Sequence, residues 1–117
     1  MRRHEKLLAR QKCHRFALTV YRLTQDWPVR ERYGLTAQLR RAAVSAPANI
    51  VEGSVRRGKR EFRRFLNISL TSLAECEYLL RLASDLNLVD TADYCTSIAE
   101  FGEARALTWL LYRSQEG

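Results

Sequence analysis

Ser45-Ala46-Pro47-Ala48-Asn49-Ile50-Val51-Glu52-Gly53, followed closely by Arg56-Arg57-Gly58-Lys59-Arg60-Glu61-Phe62-Arg63-Arg64, is the stretch from which the rest of the chain can be read. Its first half is the end of a helix carrying small and polar residues where a plain bundle helix would carry Leu. Ile50 closes an apolar stripe that begins at Leu35 and runs through Leu39, Ala42 and Ala46. Pro47 cannot donate to the carbonyl of Ala43 and is expected to kink the helix. Gly53 is the expected stop. A new helix is expected to start near Lys59, and a connection this short makes consecutive helices antiparallel neighbours. The loop and first turns of that helix hold Arg56, Arg57, Lys59, Arg60, Arg63 and Arg64. A helix N-terminus favours Asp and Glu, so cations here work against stability and point to a function: holding something anionic.

Working outward, Ala9, Cys13, Phe16, Val20, Leu23 and Trp27 follow a 4-3-4-3-4 spacing and predict a first helix over about 4–25, ended by Asp26-Trp27-Pro28. The second is expected over about 36–52 with Thr36 as its N-cap. The third is expected over about 59–86, with Phe62, Leu66, Ser69, Leu73, Cys76, Leu80 and Ala83 facing the core. The fourth is expected over about 91–113, burying Cys95, Ile98, Gly102, Trp109 and Leu110. Nothing reads as a strand, so the expectation is one all-α domain over 1–117, an up-down-up-down four-helix bundle. Five Gly and two Pro in 117 residues agree with helices rather than a turn-rich β fold. Three separated cysteines (Cys13, Cys76 and Cys95) without a C-x-x-C pair read as reduced, buried thiols. No apolar run reaches membrane-spanning length and none follows the basic start as a signal segment, so a soluble, cytoplasmic protein is expected.

The net charge of +7 is unevenly spread: residues 1–64 hold 17 Lys/Arg and 5 Asp/Glu, whereas residues 65–117 hold 3 and 8. In the expected topology the start of helix 1, the loop between helices 2 and 3 and the end of helix 4 share one end. Arg2, Arg3, Lys6 and Arg10 then approach Arg56, Arg57, Lys59, Arg60, Arg63 and Arg64, giving a candidate nucleic-acid-binding set. A second pattern lies on helix 2. Gln38, Arg41, Ser45, Asn49 and Glu52 fall along one face at 3-4-4-3 spacing, among alanines that permit close approach. This stripe reads either as a hydrogen-bonded contact with a neighbouring helix or subunit, with Arg41 answering Glu75, or as a solvated face. Bulky charge at Ala43 or Ala48 is expected to disrupt such an interface.

On these residues the chain resembles the 23S rRNA intervening-sequence protein family, also called four-helix bundle proteins. The resemblance is carried by Pro28, Glu31, Tyr33, Gly34 and Leu35; by Gln38, Arg40, Arg41 and Ala42; by Ser45, Pro47, Asn49, Ile50, Glu52 and Gly53; by Phe62 and Phe65; and by Ser72, Leu73 and Glu75. Ala46, Val51 and Thr71 depart from the usual Ile, Ala and Gly. The resemblance implies a bacterial up-down bundle that assembles as a homopentamer. The family is similar to the accessory variability proteins of diversity-generating retroelements, which bind nucleic acid and a reverse transcriptase. It implies no particular reaction.

The residues themselves assemble no catalytic constellation. His4 and His14 lack a carboxylate partner at a useful spacing, and His14 beside Cys13 points about 100° away from it. Gly53 and Gly58 do not have the spacing of a phosphate-cradling loop. No enzyme activity, cofactor or metal is expected. Two functional readings remain beside a plain solvated surface. One is an oligomeric protein whose basic end tracks RNA or DNA phosphates with little base reading. The other is an adaptor docking a protein partner such as a reverse transcriptase.

Overall fold

A computed structural model describes the backbone of residues 2–116 and the side chains from Arg3 to Glu116. Four helices account for most of it: α1 (Arg2–Thr24), α2 (Leu35–Ser54), α3 (Lys59–Asp85) and α4 (Thr91–Ser114), with one 3-10 turn at Val29–Glu31 between α1 and α2. No strand occurs among the described residues.

The helix ends follow from local chemistry. Thr24 closes α1, its hydroxyl donating to the Val20 carbonyl at 2.8 Å, and Pro28 then holds the chain extended. At the far end of α3, Asn87 takes the left-handed conformation (φ 62°). The Leu88 amide then reaches the Ala83 carbonyl at 2.9 Å and the Asn87 amide reaches Ser84 at 3.0 Å, which satisfies carbonyls that the helix leaves open. Asp90 caps α4 by accepting from the Asp93 amide at 2.8 Å. Two expected ends are corrected. Thr36 does not cap α2: Gly34 is the cap residue, and Thr36 lies buried in the first turn with its hydroxyl unpartnered. Gly53 does not stop α2 either, because the helix runs on to Ser54. Its reason for being glycine is contact: a Cβ there would stand 2.7 Å from Phe65 Cβ and 2.9 Å from Phe62 Cδ1.

The core is continuous across the four helices. The expected stripes of α1, α2 and α3 supply it, including Cys13, Phe16, Leu39, Ile50, Leu66, Leu73, Cys76 and Leu80, each at most 1% exposed. Ala43, expected at a surface interface, is fully buried in this core. The buried face of α4 is not the expected one. Ser97, Phe101, Ala104, Thr108 and Leu111 point inward, while Cys95, Gly102, Trp109 and Leu110 are exposed and Ile98 is partly so. Hydropathy misreads this helix because its inward stripe includes hydroxyls that are satisfied locally. Ser97 donates to the Asp93 carbonyl and Thr108 to the Ala104 carbonyl, both at 2.8 Å, so burying them leaves little unmet hydrogen bonding. Phe101 meets Phe16 edge-on at 6.0 Å.

Cross-links fix how the helices stand. Lys12 pairs with Glu103 at 2.9 Å, the Thr19 hydroxyl with Glu100, and Cys13 with Thr108 at 3.4 Å, joining α1 to α4. Ser45 meets Ser72 and Ser69 donates to the Ala46 carbonyl, both at 2.7 Å, joining α2 to α3. Arg40 donates to Thr24 at 2.7 Å, joining α2 to α1. Helices adjacent in sequence pack side by side and α1 packs on α4, so α2 and α4 occupy opposite corners. Burial pushes the Cys13 thiol up to about 11, against a weaker pull from Thr108, and pushes Cys76 up to about 12. Cys95, expected to be buried, is exposed.

Candidate nucleic-acid interface

The first turns of α1, the end of α2, the loop after it, the first turns of α3 and the end of α4 converge. Lys6, Gly53, Ser54, Arg56, Lys59, Phe62 and Gln115 line a single cleft there. Nine of the expected cations have described side chains, and the tenth, Arg2, lies outside them. Arg3, Lys6 and Arg10 line a groove between α1 and α2 with Leu7, Ile50 and Ser54. Lys59, Arg60, Arg63 and Arg64 line a wider groove of about 1100 Å3 between the start of α3 and the end of α4. Arg57 stands exposed in the loop between the two.

Their electrostatic states differ. Arg56 pairs with Glu52 at 2.5 Å, Arg63 with Glu116 at 3.5 Å, and Arg64 with Glu61 through two bonds of 3.0 and 3.3 Å. The Arg64 bonds hold the Glu61 carboxyl below its usual range, and Glu61 in turn raises Arg64. These three side chains also lie over aromatic rings: Arg56 and Arg64 over Phe65, Arg63 over Tyr112 at 4.2 Å. Lys6 sits 5.0 Å from the Phe62 ring. Among the described residues Arg3, Lys6, Arg10, Arg57, Lys59 and Arg60 have no carboxylate within ion-pair distance. The α3 N-terminus adds its own partial charge, since its cap residue is Gly58 and no side chain caps it.

Sequence reasoning missed the wall that α4 contributes: Tyr112, Gln115 and Glu116 line the wider groove. Beside it Trp109 stacks on Tyr112 (5.5 Å, 20°), with the Arg113 guanidinium 6.0 Å from the centre of the indole. The clue was present as Trp109 and Tyr112 three apart on a helix, but the misread face of α4 assigned Trp109 to the core.

The polar stripe of α2 is distributed differently from expectation. Gln38, not Arg41, answers Glu75, at 3.2 Å; Ser45 bonds Ser72; and Asn49 donates back to the Ser45 hydroxyl and carbonyl. Gln38 and Ser45 thus serve the contact with α3 of the same chain. Glu52 is committed to Arg56, and Arg41 is exposed with no ion pair among the described residues. No group of three His, Cys, Asp or Glu side chains among the described residues is arranged to hold a metal ion. None of the described helices is long and apolar enough to cross a membrane.

Comparison with known proteins bears on the fold. A crystal structure of a protein of unknown function from the S23 ribosomal protein family of Bacteroides thetaiotaomicron VPI-5482 superposes with a TM-score of 0.83. The two share 21% identity over 93% of this chain and 98% of that one. No curated protein matches. The family model for 23S rRNA-intervening sequence proteins matches residues 5–108. With nearly the whole chain spanned by that match, it belongs to the 23S rRNA-intervening sequence protein family.

Proposed function

We propose that this protein is a non-catalytic, oligomeric nucleic-acid-binding protein of the cytoplasm, whose basic end contacts RNA or DNA phosphates with low sequence specificity. The observation that carries the reading is the set Arg3, Lys6, Arg10, Arg57, Lys59 and Arg60, exposed or half-exposed at one end and free of carboxylate partners among the described residues. Cations already paired gain less from a phosphate, whereas free ones release counterions into solution when they bind it. Low specificity is supported by the state of the aromatic rings at this end: Trp109 and Tyr112 are stacked on each other, with Arg113 near the first and Arg63 over the second, an arrangement that favours phosphate contact over base stacking.

The up-down-up-down antiparallel course belongs to the same proposal. It is supported by partner order: Lys12 to Glu103 and Thr19 to Glu100 on one seam, Gln38 to Glu75 and Gly53 beside Phe65 on another. Self-association as a homopentamer follows from the family resemblance, and a ring of such chains would gather several basic ends.

The test is binding of single- and double-stranded RNA and DNA across a salt series, with mass followed in parallel. Log affinity should fall with log salt by about 0.7 to 0.9 per phosphate contact. A folded protein that binds none of these at low salt would overturn the reading and leave the basic end to an acidic protein partner.

A further inference from the structure

The end of α1, the 3-10 turn and the start of α2 meet at the end of α1 remote from the basic set. Two buried polar atoms there lack a hydrogen-bond partner: the indole N–H of Trp27 and the hydroxyl of Thr36. Buried donors in folded proteins are nearly always partnered, and an orphan marks either a cost to stability or a place for something that accepts hydrogen bonds. Here both orphans belong to the walls of one cavity of about 230 Å3, which Arg32 and Arg40 also line.

What this corner offers is donors and positive charge. An indole N–H only donates, a guanidinium has no acceptor, and the Thr36 hydroxyl is able to donate. Arg40 is already held in position: its Nε donates to Thr24 at 2.7 Å, its Nη2 donates to the Tyr21 carbonyl at 3.2 Å, and its guanidinium lies 4.5 Å from the Tyr21 ring. Arg32 is exposed, and among the described residues neither it nor Arg40 nor Arg41 has a carboxylate within ion-pair distance. An unpaired, exposed Arg32 is free to turn aside and admit a ligand to the donors behind it. Asp26 and Glu31, the acids of this turn, line neither this cavity nor its neighbour. The start of α2 adds partial positive charge, because no side chain caps it at Gly34.

The neighbouring cavity, of about 610 Å3, shares Arg32, Thr36 and Arg40 with the first. Tyr21, Ala37 and Val44 give it apolar walls, and Arg41 adds a third guanidinium. Its volume falls among those of small-molecule sites.

We infer that this corner binds a phosphate monoester of a small organic molecule, its phosphoryl oxygens held by Trp27, Arg32, Thr36 and Arg40 and its organic part lying toward Tyr21 and Val44. A phosphoryl group presents acceptor oxygens in several directions and carries about two negative charges, which suits donors that arrive from the turn and from successive levels of α2. Guanidinium forks pair with it in bidentate fashion. A carboxylate offers only two oxygens, in one plane. The site is separate from the basic end and does not depend on nucleic-acid binding.

The chain has two tryptophans, so Trp109→Phe leaves Trp27 as the indole reporter at this corner. Inorganic phosphate, adenosine monophosphate and adenosine are titrated into that protein at matched ionic strength, with indole emission and Tm followed. The expected result is a saturable emission change and a higher Tm with both phosphates, tighter for the monophosphate, and neither effect with adenosine. Phosphate held at the basic end lies at the other end of α1 and does not reach this reporter. Arg32→Ala removes an exposed side chain and should weaken binding at least about tenfold. Thr36→Val keeps nearly the same shape and removes an unpartnered hydroxyl, so it should raise the Tm of the free protein while weakening binding. A threonine with only a structural role would change the first and not the second. No saturable emission change with either phosphate at millimolar concentration, or a change that survives both Arg32→Ala and Thr36→Val, would overturn the site. Equal affinity for inorganic phosphate and the monophosphate would overturn the part assigned to the larger cavity.

Discussion

Gly53→Ala should destabilise the fold even though it replaces glycine by the best helix former inside a helix. Propensity alone would give a gain of about 1 kcal/mol. Against it stands the seam with α3, where the new Cβ would lie 2.7 Å from Phe65 Cβ and 2.9 Å from Phe62 Cδ1, below ordinary contact at 3.4 Å. The nearer atom is a Cβ, which cannot swing aside without its backbone, and both phenylalanines are buried. α3 must therefore withdraw by about 0.7 Å at this point, an overpacking that costs about 1–3 kcal/mol. The net effect is a loss of about 0–2 kcal/mol, centred near 1 kcal/mol, which is roughly 4 °C in Tm for a domain of this size. Thermal and urea unfolding followed by circular dichroism at matched protein concentration reads it directly. A Tm that rises would refute the close-approach account and return Gly53 to an ordinary helical position.

Other residues carry equally definite expectations. Gly58 has φ 84° and ψ 155°, a region open essentially to glycine, so Gly58→Ala should cost about 1–3 kcal/mol although nothing crowds its Cβ; an unchanged urea midpoint would contradict that. Cys95 should react with a thiol reagent in the native protein, while Cys13 and Cys76 react only after denaturant is added. These two thiols stay protonated to about 11 and about 12 when folded but ionise near 9.0 when unfolded. Stability is therefore intact below pH 9.0 and declines as pH rises through the alkaline range. A Tm flat from pH 9 to pH 11 would contradict it.

Three helices were legible in the sequence because their buried stripes are built from large apolar residues at regular spacing. Phe16, Leu39, Leu66, Leu73 and Leu80 all lie where periodicity assigned them. α4 was located correctly along the chain but rotated about its axis. Ser97 and Thr108 bury hydroxyls bonded within their own helix, while Trp109 and Leu110 face outward, so hydropathy pointed the wrong way. Gly53 looked like a terminator because a glycine that ends a helix and one that admits a neighbouring helix are identical in sequence; only the position of Phe65 separates them. The convergence of cations followed from topology. Their division into paired and free groups did not, because Glu116 reaches Arg63 across 53 positions of chain.

The most direct test of the basic end compares salt dependence between two triple variants and wild type, using one RNA and one DNA oligonucleotide. Arg57→Ala/Lys59→Ala/Arg60→Ala removes cations free of carboxylate partners, and Arg56→Ala/Arg63→Ala/Arg64→Ala removes those already paired. The first set should lower the slope of log affinity against log salt by about 2 to 3, close to one for each phosphate no longer neutralised, and the second by clearly less. Equal slopes for wild type and the first variant, both folded and of the same mass, would contradict a phosphate-binding role for this end of the molecule.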